Sequence, residues 1–323
     1  MNDKRIYPCG RDLQVCCLQH YPRFGKIFNT DKMSANIIDG LLVAAKIQAQ
    51  VKQQVDRLVT QGIRPCLSTI LIGENPASIS YVNKKQRAAA ELGIATRDLR
   101  FSEALKQKEL EGIISGLNAD SHVHGVLVQL PLPSHIDQNK TINLLDPVKD
   151  VDGLTPFNAG MLLKGSSVIT PCTPAGILEL LDFYKIGVAG MDATIINRSS
   201  LVGKPLACLL AERGATVTIC HSKSRRLQEK LMSSEMIISA VGNREKFTLL
   251  GDTIRPGAVI IDVGISRVSG RICGDVDLSS VKDKASWITP VPGGVGPMTV
   301  AMLLRNTVTA TMLSFGGRND LSG

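Results

Sequence analysis

The sequence has few aromatic residues and no long apolar run, and both absences exclude a class of protein. Aromatic residues make up 4% of the 323 residues, with a single Trp, which leaves few rings on which nucleic-acid bases could stack. No window approaches the roughly 18 consecutive apolar residues of a membrane-spanning helix. We therefore expect neither a nucleic-acid partner nor a membrane span.

Cysteine pairs at metal-binding spacing are also missing. The eight cysteines form no CxxC pair and share no ligand spacing with the five histidines, so we expect no metal and reduced thiols in an intracellular protein. The net charge of +8 is spread along the chain without a basic run, which suits small anionic ligands. A hydrophobic content of 44% with 20% charged residues is that of a folded protein, and the length suggests about two domains.

Residues 1–32 differ from the rest of the chain because they show no clean hydrophobic periodicity. They lack the apolar core of a secretory signal, and they contain aspartates without serine, unlike most organellar presequences. We expect a disordered extension, or a true start at Met33, and a cytoplasmic location; an organelle would require residues 1–32 to be an unusual presequence.

From Asn36 onward, helical and strand-like segments alternate, and this alternation predicts parallel sheets in two α/β domains, the second of Rossmann type. Helices are predicted over 41–60, from 76 to Gly93, and over 174–184, 205–213 and 298–312. Buried strands are predicted over 67–72, 123–130, 193–196, 215–220, 236–240 and 258–263. The predicted division is an extension (1–32), a catalytic domain (33–154), a nucleotide-binding domain (155–297), a C-terminal helix that packs back on the catalytic domain (298–316) and a tail (317–323).

Three polar positions in the first half stand out from apolar surroundings. Tyr81 and Lys85 are spaced one helical turn apart on an apolar stripe, where a lysine could serve in acid–base chemistry. Gln129 ends an apolar strand just before two prolines, and polar groups at such strand ends line pockets. The DVDG segment at 150–153 offers carboxylates that could accept paired hydrogen bonds. Each position taken alone also fits a structural role: a surface lysine, a strand-end amide and an acidic turn.

Two segments in the second half could bind a nucleotide. NRSSLVGKP at 197–205 lies between a strand and a helix start, where free backbone N–H groups bind phosphate; it is neither GxGxxG nor a P-loop. HSKSRR at 221–226 follows the next strand, and its basic and hydroxyl groups, in place of the usual acidic residue, favour NADP over NAD. The glycine-rich PVPGGVGPMT at 290–299 is a third candidate, because it allows the backbone to approach a ligand. The segment 221–226 also fits a solvated basic loop, and the segment 290–299 also fits a tight connection between elements.

These segments, in this order, resemble the bifunctional methylenetetrahydrofolate dehydrogenase/methenyltetrahydrofolate cyclohydrolase family. The resemblance runs from about Ile37 to Phe315 and is most specific in GENPASISYVNKK, GVLVQLPLP, KDVDG, PCTPAG, GDVD and TPVPGGVGPMTVAML. It implies a catalytic domain that faces an NADP-binding domain across a cleft, in a homodimer. It also implies NADP-dependent oxidation of 5,10-methylenetetrahydrofolate and hydrolysis of the methenyl product to 10-formyltetrahydrofolate, in one pocket without a metal.

The resemblance also implies roles for residues. Lys85 is the expected catalytic residue, Gln129 its hydrogen-bonding partner, Tyr81 a packing surface for the folate, and Asp152 the partner of the pterin's amino-pyrimidine edge. Leu130, Gly293, Gly294 and Pro297 are expected to border the substrate. The residues expected on the cofactor are Asn197, Arg198, Ser199, Ser222, Ile265 and Thr299.

One departure from the family pattern concerns the cofactor loop. Asn197 replaces the first glycine of the usual GRS sequence, so a side chain is expected where backbone approaches the cofactor, with asparagine's tolerance of positive φ preserving the turn. Two alternatives to the bifunctional enzyme therefore remain: a cyclohydrolase with a weakened NADP site, and a non-catalytic module that binds folate or nucleotide.

Overall fold

The structure is a computed structural model that describes residues 34–316. The predictions for residues 1–32 and for the tail 317–323 lie outside the described residues. No helix within 34–316 is both long enough and apolar enough to cross a membrane.

Two parallel sheets organise the described chain, and a short antiparallel hairpin accompanies them. The strands are β1 (Asn36–Ile37), β2 (Cys66–Ile72), β3 (Ala95–Phe101), β4 (Gly125–Val128), β5 (Asp192–Ile196), β6 (Thr216–Cys220), β7 (Met236–Ser239), β8 (Val259–Asp262), β9 (Ser266–Val268), β10 (Arg271–Cys273) and β11 (Trp287–Ile288). The helices are α1 (Gly40–Thr60), α2 (Pro76–Glu91), α3 (Gln107–Ala119), α4 (Gln138–Asn143), α5 (Pro156–Leu163), α6 (Cys172–Phe183), α7 (Gly203–Glu212), α8 (Leu227–Ser233), α9 (Leu278–Val281) and α10 (Val295–Ser314). The predicted class of two α/β domains is confirmed.

The first sheet has three strands in the order β3-β2-β4, and the second has six in the order β1-β11-β8-β7-β5-β6. All pairings within these two sheets are parallel. In each sheet the carboxyl ends of the strands therefore share one edge, where ligands of open α/β sheets bind. The hairpin of β9 and β10 follows β8.

Strand β1 belongs to the second sheet although it precedes the first sheet in the chain. Asn36 pairs with Trp287 and Ile37 with Ile288. The predicted catalytic segment 33–154 therefore contributes two residues to the second sheet. A two-residue strand has no periodicity that sequence analysis could detect.

Three helices join the two sheets into one hydrophobic core. Helix α10 packs on both α1 and α6, and the largest core cluster includes side chains of β2, β5, β7 and α10. The helices approach closely because Gly176 of α6 has no side chain: a Cβ there would lie 2.7 Å from the Cβ of Met298. The core thereby fixes the two strand-end edges relative to one another.

Candidate active site

Helix α2 supplies Tyr81 and Lys85. Its start is fixed by Asn75, whose side-chain oxygen accepts hydrogen bonds from the N–H groups of Ala77 and Ser78, and by Pro76 at the first position. Lys85 is only 6% exposed, and its Nζ lies 6.0 Å from the centroid of the Tyr81 ring. Burial raises the pKa of Tyr81, so its phenol is neutral at physiological pH.

Gln129 comes directly after β4 and meets Lys85. The Lys85 Nζ donates a hydrogen bond of 3.2 Å to Gln129 Oε1, and Gln129 Nε2 donates one of 2.6 Å to the carbonyl of Leu130. The carbonyl of Leu130 thus fixes the orientation of the amide, which presents its oxygen to the lysine. An ammonium group has three donors, so Lys85 retains donors for a ligand.

The two aspartates of DVDG have different surroundings. Asp150 is buried, and its Oδ2 accepts hydrogen bonds from the Thr155 N–H at 2.7 Å and from Asn158 Nδ2 at 3.0 Å. Burial raises the pKa of Asp150. Asp152 is half-buried. Asp150 therefore shapes the turn, and Asp152 is the carboxylate that a ligand can reach.

Lys149, which precedes this pair, is a structural residue. Its buried Nζ donates hydrogen bonds of 2.7–3.0 Å to three carbonyls at the end of α3, those of Leu117, Asn118 and Asp120. It thus caps the carboxyl end of that helix.

Asn306 of α10 supports the same turn, and the sequence analysis missed it. Its Nδ2 donates hydrogen bonds of 2.9 Å to the carbonyls of Val151 and Thr170. The Cys172 thiol lies beside it, and burial together with the nearby Asp152 carboxylate raises its pKa well above the usual value. The only sequence signal for Asn306 is an amide within a helix that is otherwise largely apolar.

The glycine-rich loop before α10 lies against the start of α1. The carbonyl of Gly293 accepts hydrogen bonds from the N–H groups of Gly40 and Leu41 at 2.9 and 3.1 Å. A Cβ on Gly40 would lie 1.8 Å from the carbonyl oxygen of Gly294, so this approach requires glycine. Just beyond, Pro297 is half-buried in the first turn of α10, and Thr299 Oγ1 lies 3.1 Å from Thr173 Oγ1 of α6.

The loop between β5 and α7 offers free donors at a strand end. Among the described residues, no hydrogen bond uses the backbone N–H groups of Arg198, Ser200 or Leu201. Arg198 itself is exposed. N–H groups at a helix start beside a cationic side chain fit the phosphates of a dinucleotide.

Asn197 does not adopt the conformation expected from the sequence. Its φ is not positive; within 34–316 the only non-glycine residues with positive φ are Lys185, Arg226 and Ser269. Its carboxamide is turned into the loop, where Oδ1 accepts hydrogen bonds from the Ser199 N–H and from the Gly203 N–H. The turn therefore keeps ordinary backbone geometry, because the side chain satisfies the donors inside it.

Ser222 lies in the exposed loop after β6, the second strand end of this edge. Lys223, Arg225 and Arg226 of the same loop are exposed, and no acidic side chain interrupts the segment 221–226. These residues fit the 2′-phosphate that distinguishes NADP from NAD.

Two buried carboxylates, which the sequence analysis did not single out, organise the ends of β7 and β8. Asp275 accepts hydrogen bonds from the N–H groups of Val241 and Gly242 at 2.7 and 3.0 Å, and Asp262 accepts one from the Gly264 N–H at 3.0 Å. The next residue, Ile265, is 45% exposed. The pair thus fixes the backbone that presents Ile265.

No group of three or more metal-ligating side chains occurs between residues 34 and 316. The site therefore consists of two parts: Lys85, Gln129 and Asp152 at the first sheet, and a donor-rich loop edge at the second.

In comparisons with known proteins, two family models match the two halves of the chain. The family model described as "Tetrahydrofolate dehydrogenase/cyclohydrolase, catalytic domain" matches residues 38–152. The model described as "Tetrahydrofolate dehydrogenase/cyclohydrolase, NAD(P)-binding domain" matches residues 171–315.

Whole-chain relatives show the same similarity. The chain is 50% identical over 282 residues to the bifunctional protein FolD of Nitrosopumilus maritimus, covering 87% of this chain and 98% of that protein. It is 50% identical to the bifunctional protein FolD of Moorella thermoacetica over 279 residues, which are 86% of this chain and 99% of that protein.

Solved structures are similar over the same region. The bifunctional enzyme FolD of Campylobacter jejuni superposes with a TM-score of 0.84 at 43% identity, covering 87% of this chain and 99% of that one. The FolD of Trypanosoma brucei, solved as a complex with NADP cofactor and inhibitor, superposes with a TM-score of 0.83 at 37% identity, again covering 87% of this chain and 99% of that one.

Proposed function

The chain belongs to the tetrahydrofolate dehydrogenase/cyclohydrolase family, and from this membership we propose how its residues perform the two reactions. The enzyme oxidises 5,10-methylenetetrahydrofolate to 5,10-methenyltetrahydrofolate with NADP⁺, and hydrolyses that product to 10-formyltetrahydrofolate. When bound, NADP⁺ supplies the acceptor for the hydride. The observation that supports the proposed roles best is the buried Lys85, whose Nζ donates a hydrogen bond to Gln129 Oε1 at the end of β4.

Lys85 is the central catalytic residue of this proposal. Lys85 is almost fully buried, and an electrostatic interaction with a reacting group is stronger in a buried position than in water. Its remaining donors polarise the attacking water or the folate nitrogen during hydrolysis, and the lysine assists the proton transfers that accompany ring opening. Hydrolysis consumes one water and releases one proton, so a group that exchanges protons at this point serves both the addition and the opening.

Gln129 and Tyr81 position the lysine and the substrate. The Gln129 amide is oriented by the Leu130 carbonyl, so its oxygen directs Lys85 toward one point in the pocket. The neutral ring of Tyr81 offers a flat apolar surface to the folate. Leu130, Gly293, Gly294 and Pro297 border the substrate.

Asp152 is proposed to bind the amino-pyrimidine edge of the pterin. That edge presents neighbouring N–H donors, which match the two oxygens of a carboxylate. Asp150 already accepts two internal hydrogen bonds, so Asp152 is the better placed of the pair. Asn306 supports this residue through the Val151 carbonyl.

The NADP⁺ site is proposed along the strand ends of the second sheet. The free N–H groups of Arg198, Ser200 and Leu201 donate hydrogen bonds to the phosphates. Asn197 and Ser199 fix the conformation of that loop. Ser222 with its basic neighbours meets the 2′-phosphate. Ile265 and Thr299 border the nicotinamide, on the side that faces the folate pocket.

The role of Lys85 is tested by Lys85→Ala, with Lys84→Ala as the matched control because Lys84 is an exposed neighbour on the same helix. We expect Lys85→Ala to lower kcat of the cyclohydrolase by roughly 10²–10⁴-fold, the usual contribution of a positioned acid–base group, and to lower the dehydrogenase rate as well. Lys84→Ala should keep both rates within about twofold of the original. Full turnover in both reactions by Lys85→Ala would exclude the assigned mechanism.

We further propose that the enzyme is a cytoplasmic homodimer. The observation that supports a dimer is the hairpin of β9 and β10, on which Val268 and Ile272 are each 44% exposed. They lie on opposite faces, since Val268 pairs with Arg271 and Ile272 with Arg267. A second copy of the chain that packs on both faces of the hairpin would remove both side chains from water. The cytoplasmic location is tested by fractionating a cell extract and measuring the enzyme activity and the marker proteins of each compartment in every fraction. Activity that follows the markers of an organelle would contradict it.

A further inference from the structure

The side chain of Asn197 connects the segments that follow two neighbouring strands, β5 and β7. Asn197 follows β5, and its Nδ2 donates a hydrogen bond of 2.6 Å to the carbonyl of Ala240, which follows β7. Strands β5 and β7 are adjacent and parallel. The carboxamide thus bridges the loop before α7 to the segment 240–242.

The same carboxamide also organises the loop to which it belongs. Its Oδ1 accepts three hydrogen bonds, from the Ser199 N–H and Ser199 Oγ at 2.7 Å each and from the Gly203 N–H at 3.1 Å. Ser199 Oγ in turn accepts a hydrogen bond of 3.1 Å from the Val202 N–H. The internal donors of the turn are therefore satisfied by Asn197 and Ser199, while the N–H groups of Arg198, Ser200 and Leu201 have no partner among residues 34–316.

The segment 240–242 is held from its other side by Asp275. That carboxylate accepts hydrogen bonds from the Val241 N–H at 2.7 Å and from the Gly242 N–H at 3.0 Å. Asn197 and Asp275 together fix consecutive backbone groups of this segment. The 197–203 loop and the 240–242 segment are consequently both fixed by hydrogen bonds within the protein.

We infer that Asn197 is a positioning residue for NADP⁺: its carboxamide fixes the 197–203 loop against the 240–242 segment, so that the free N–H groups already face the phosphates before the cofactor arrives. Preorganised donors bind more tightly because the cofactor does not have to order them. This inference rests on the proposed function, and it assigns Asn197 a favourable effect on cofactor binding rather than the loss that a side chain in the cofactor's place would cause.

The first test is the binding of NADP⁺ to Asn197→Gly, measured by titration calorimetry, with steady-state kinetics of both reactions. We expect Kd and KM for NADP⁺ to rise on the order of tenfold, because the cofactor would then have to order the loop when it binds. The rise in KM for NADP⁺ should exceed any change in the dehydrogenase kcat measured at saturating NADP⁺. Asn36→Ala is the matched control, because Asn36 donates one side-chain hydrogen bond, to Ser286, on the distant edge strand β1.

The second test needs no cofactor. Hydrogen–deuterium exchange of the cofactor-free enzyme should show faster exchange of the Ser199 and Gly203 amides in Asn197→Gly than in the original protein. Asn197→Asp can still accept from these amides but cannot donate to the Ala240 carbonyl, so its exchange should be faster around 240–242 and unchanged at Ser199 and Gly203.

Two results would overturn the inference. The first is a Kd of Asn197→Gly for NADP⁺ that is unchanged or lower. The second is hydrogen–deuterium exchange in Asn197→Asp that does not differ between the 199–203 amides and the 240–242 segment. If Asn197→Gly loses both reactions together, the Asn197→Asp exchange pattern decides alone. An original protein that does not reduce NADP⁺ would refute the proposed function itself, and this result is distinct from all of the others.

Discussion

Asp262 and Asp275 form an interlocked pair of buried carboxylates at the strand ends of the second sheet. Asp262 is 4% and Asp275 0% exposed, and Asp262 accepts hydrogen bonds of 3.0 Å from the N–H groups of Asp275 and Val276. A Cβ on Gly274 would lie 1.9 Å from Asp262 Oδ2, and one on Gly264 would lie 2.2 Å from Asp275 Oδ1. The glycines that flank each aspartate therefore make room for the other one.

The Asp262 carboxylate predicts a pH dependence of stability. Burial raises its pKa from 3.8 to about 6, so the folded protein holds this proton over a pH range in which the unfolded chain has released it. The stabilisation is full below about pH 4 and is lost as the pH rises through 6. Linkage gives a loss of about 2 kcal/mol in the free energy of unfolding between pH 4.5 and pH 7.

The measurement is urea unfolding of the original protein and of Asp262→Asn at these two pH values. Asp262→Asn should be less stable at both pH values, because the NH₂ of its side chain would face a backbone N–H donor. Its stability should not show the loss between pH 4.5 and pH 7 that is assigned to the Asp262 carboxylate. Asp283→Asn serves as the control for an exposed carboxylate. Parallel pH curves for the original protein and Asp262→Asn would contradict the assignment.

Local sequence patterns predict some site residues and not others. Tyr81, Lys85 and Gln129 were found because helical spacing and strand ends are local properties. Asn306 donates a hydrogen bond to the DVDG turn, 155 residues away in the sequence. The Asp275 carboxylate accepts hydrogen bonds at the end of β7, more than 30 residues away in the sequence. Such contacts depend on the packing of distant elements, which no local pattern contains.

At the scale of elements, the buried strands and the helices α1, α2, α6, α7 and α10 were predicted within a few residues of the observed bounds, whereas the 13-residue helix α3 was not predicted. Helix α1 and strand β8 are examples, at 40–60 against the predicted 41–60 and at 259–262 against 258–263. Strand β3 was missed because it is an edge strand with a mostly exposed, charged sequence. Helix α10 begins three residues before the predicted start at 298, because the glycine-rich sequence does not look helical although its backbone turns there.

The β9–β10 hairpin gives a prediction at this scale. The double variant Val268→Glu/Ile272→Glu should dissociate the proposed dimer, since it would place charges in an apolar contact. Light scattering after size exclusion should show half the mass of the original protein. Leu163→Glu is the control, because Leu163 is 74% exposed on α5, and it should leave the mass unchanged. A double variant with the original mass would exclude the hairpin as the contact, and an original protein of monomer mass would exclude the dimer.

At the scale of the molecule, one core connects the two sheets. Helix α10 starts at the glycine-rich loop that is proposed to border the folate, packs on α1 and α6, and holds the DVDG turn through Asn306. The glycine-rich loop at its start bonds to α1. The proposed substrate and cofactor sites lie on different sheets that this core connects, as a hydride transfer between them would require.

The central claim is that this one chain performs both reactions. The measurement that tests it most directly is an absorbance assay of the purified protein with 5,10-methylenetetrahydrofolate, following methenyltetrahydrofolate and NADPH, with the hydrolysis of added methenyltetrahydrofolate measured separately. We expect NADP⁺-dependent methenyl formation, a slower reaction with NAD⁺, and hydrolysis faster than without enzyme. Hydrolysis without reduction of either nucleotide would contradict the bifunctional account in favour of a cyclohydrolase, and the absence of both activities would contradict it entirely.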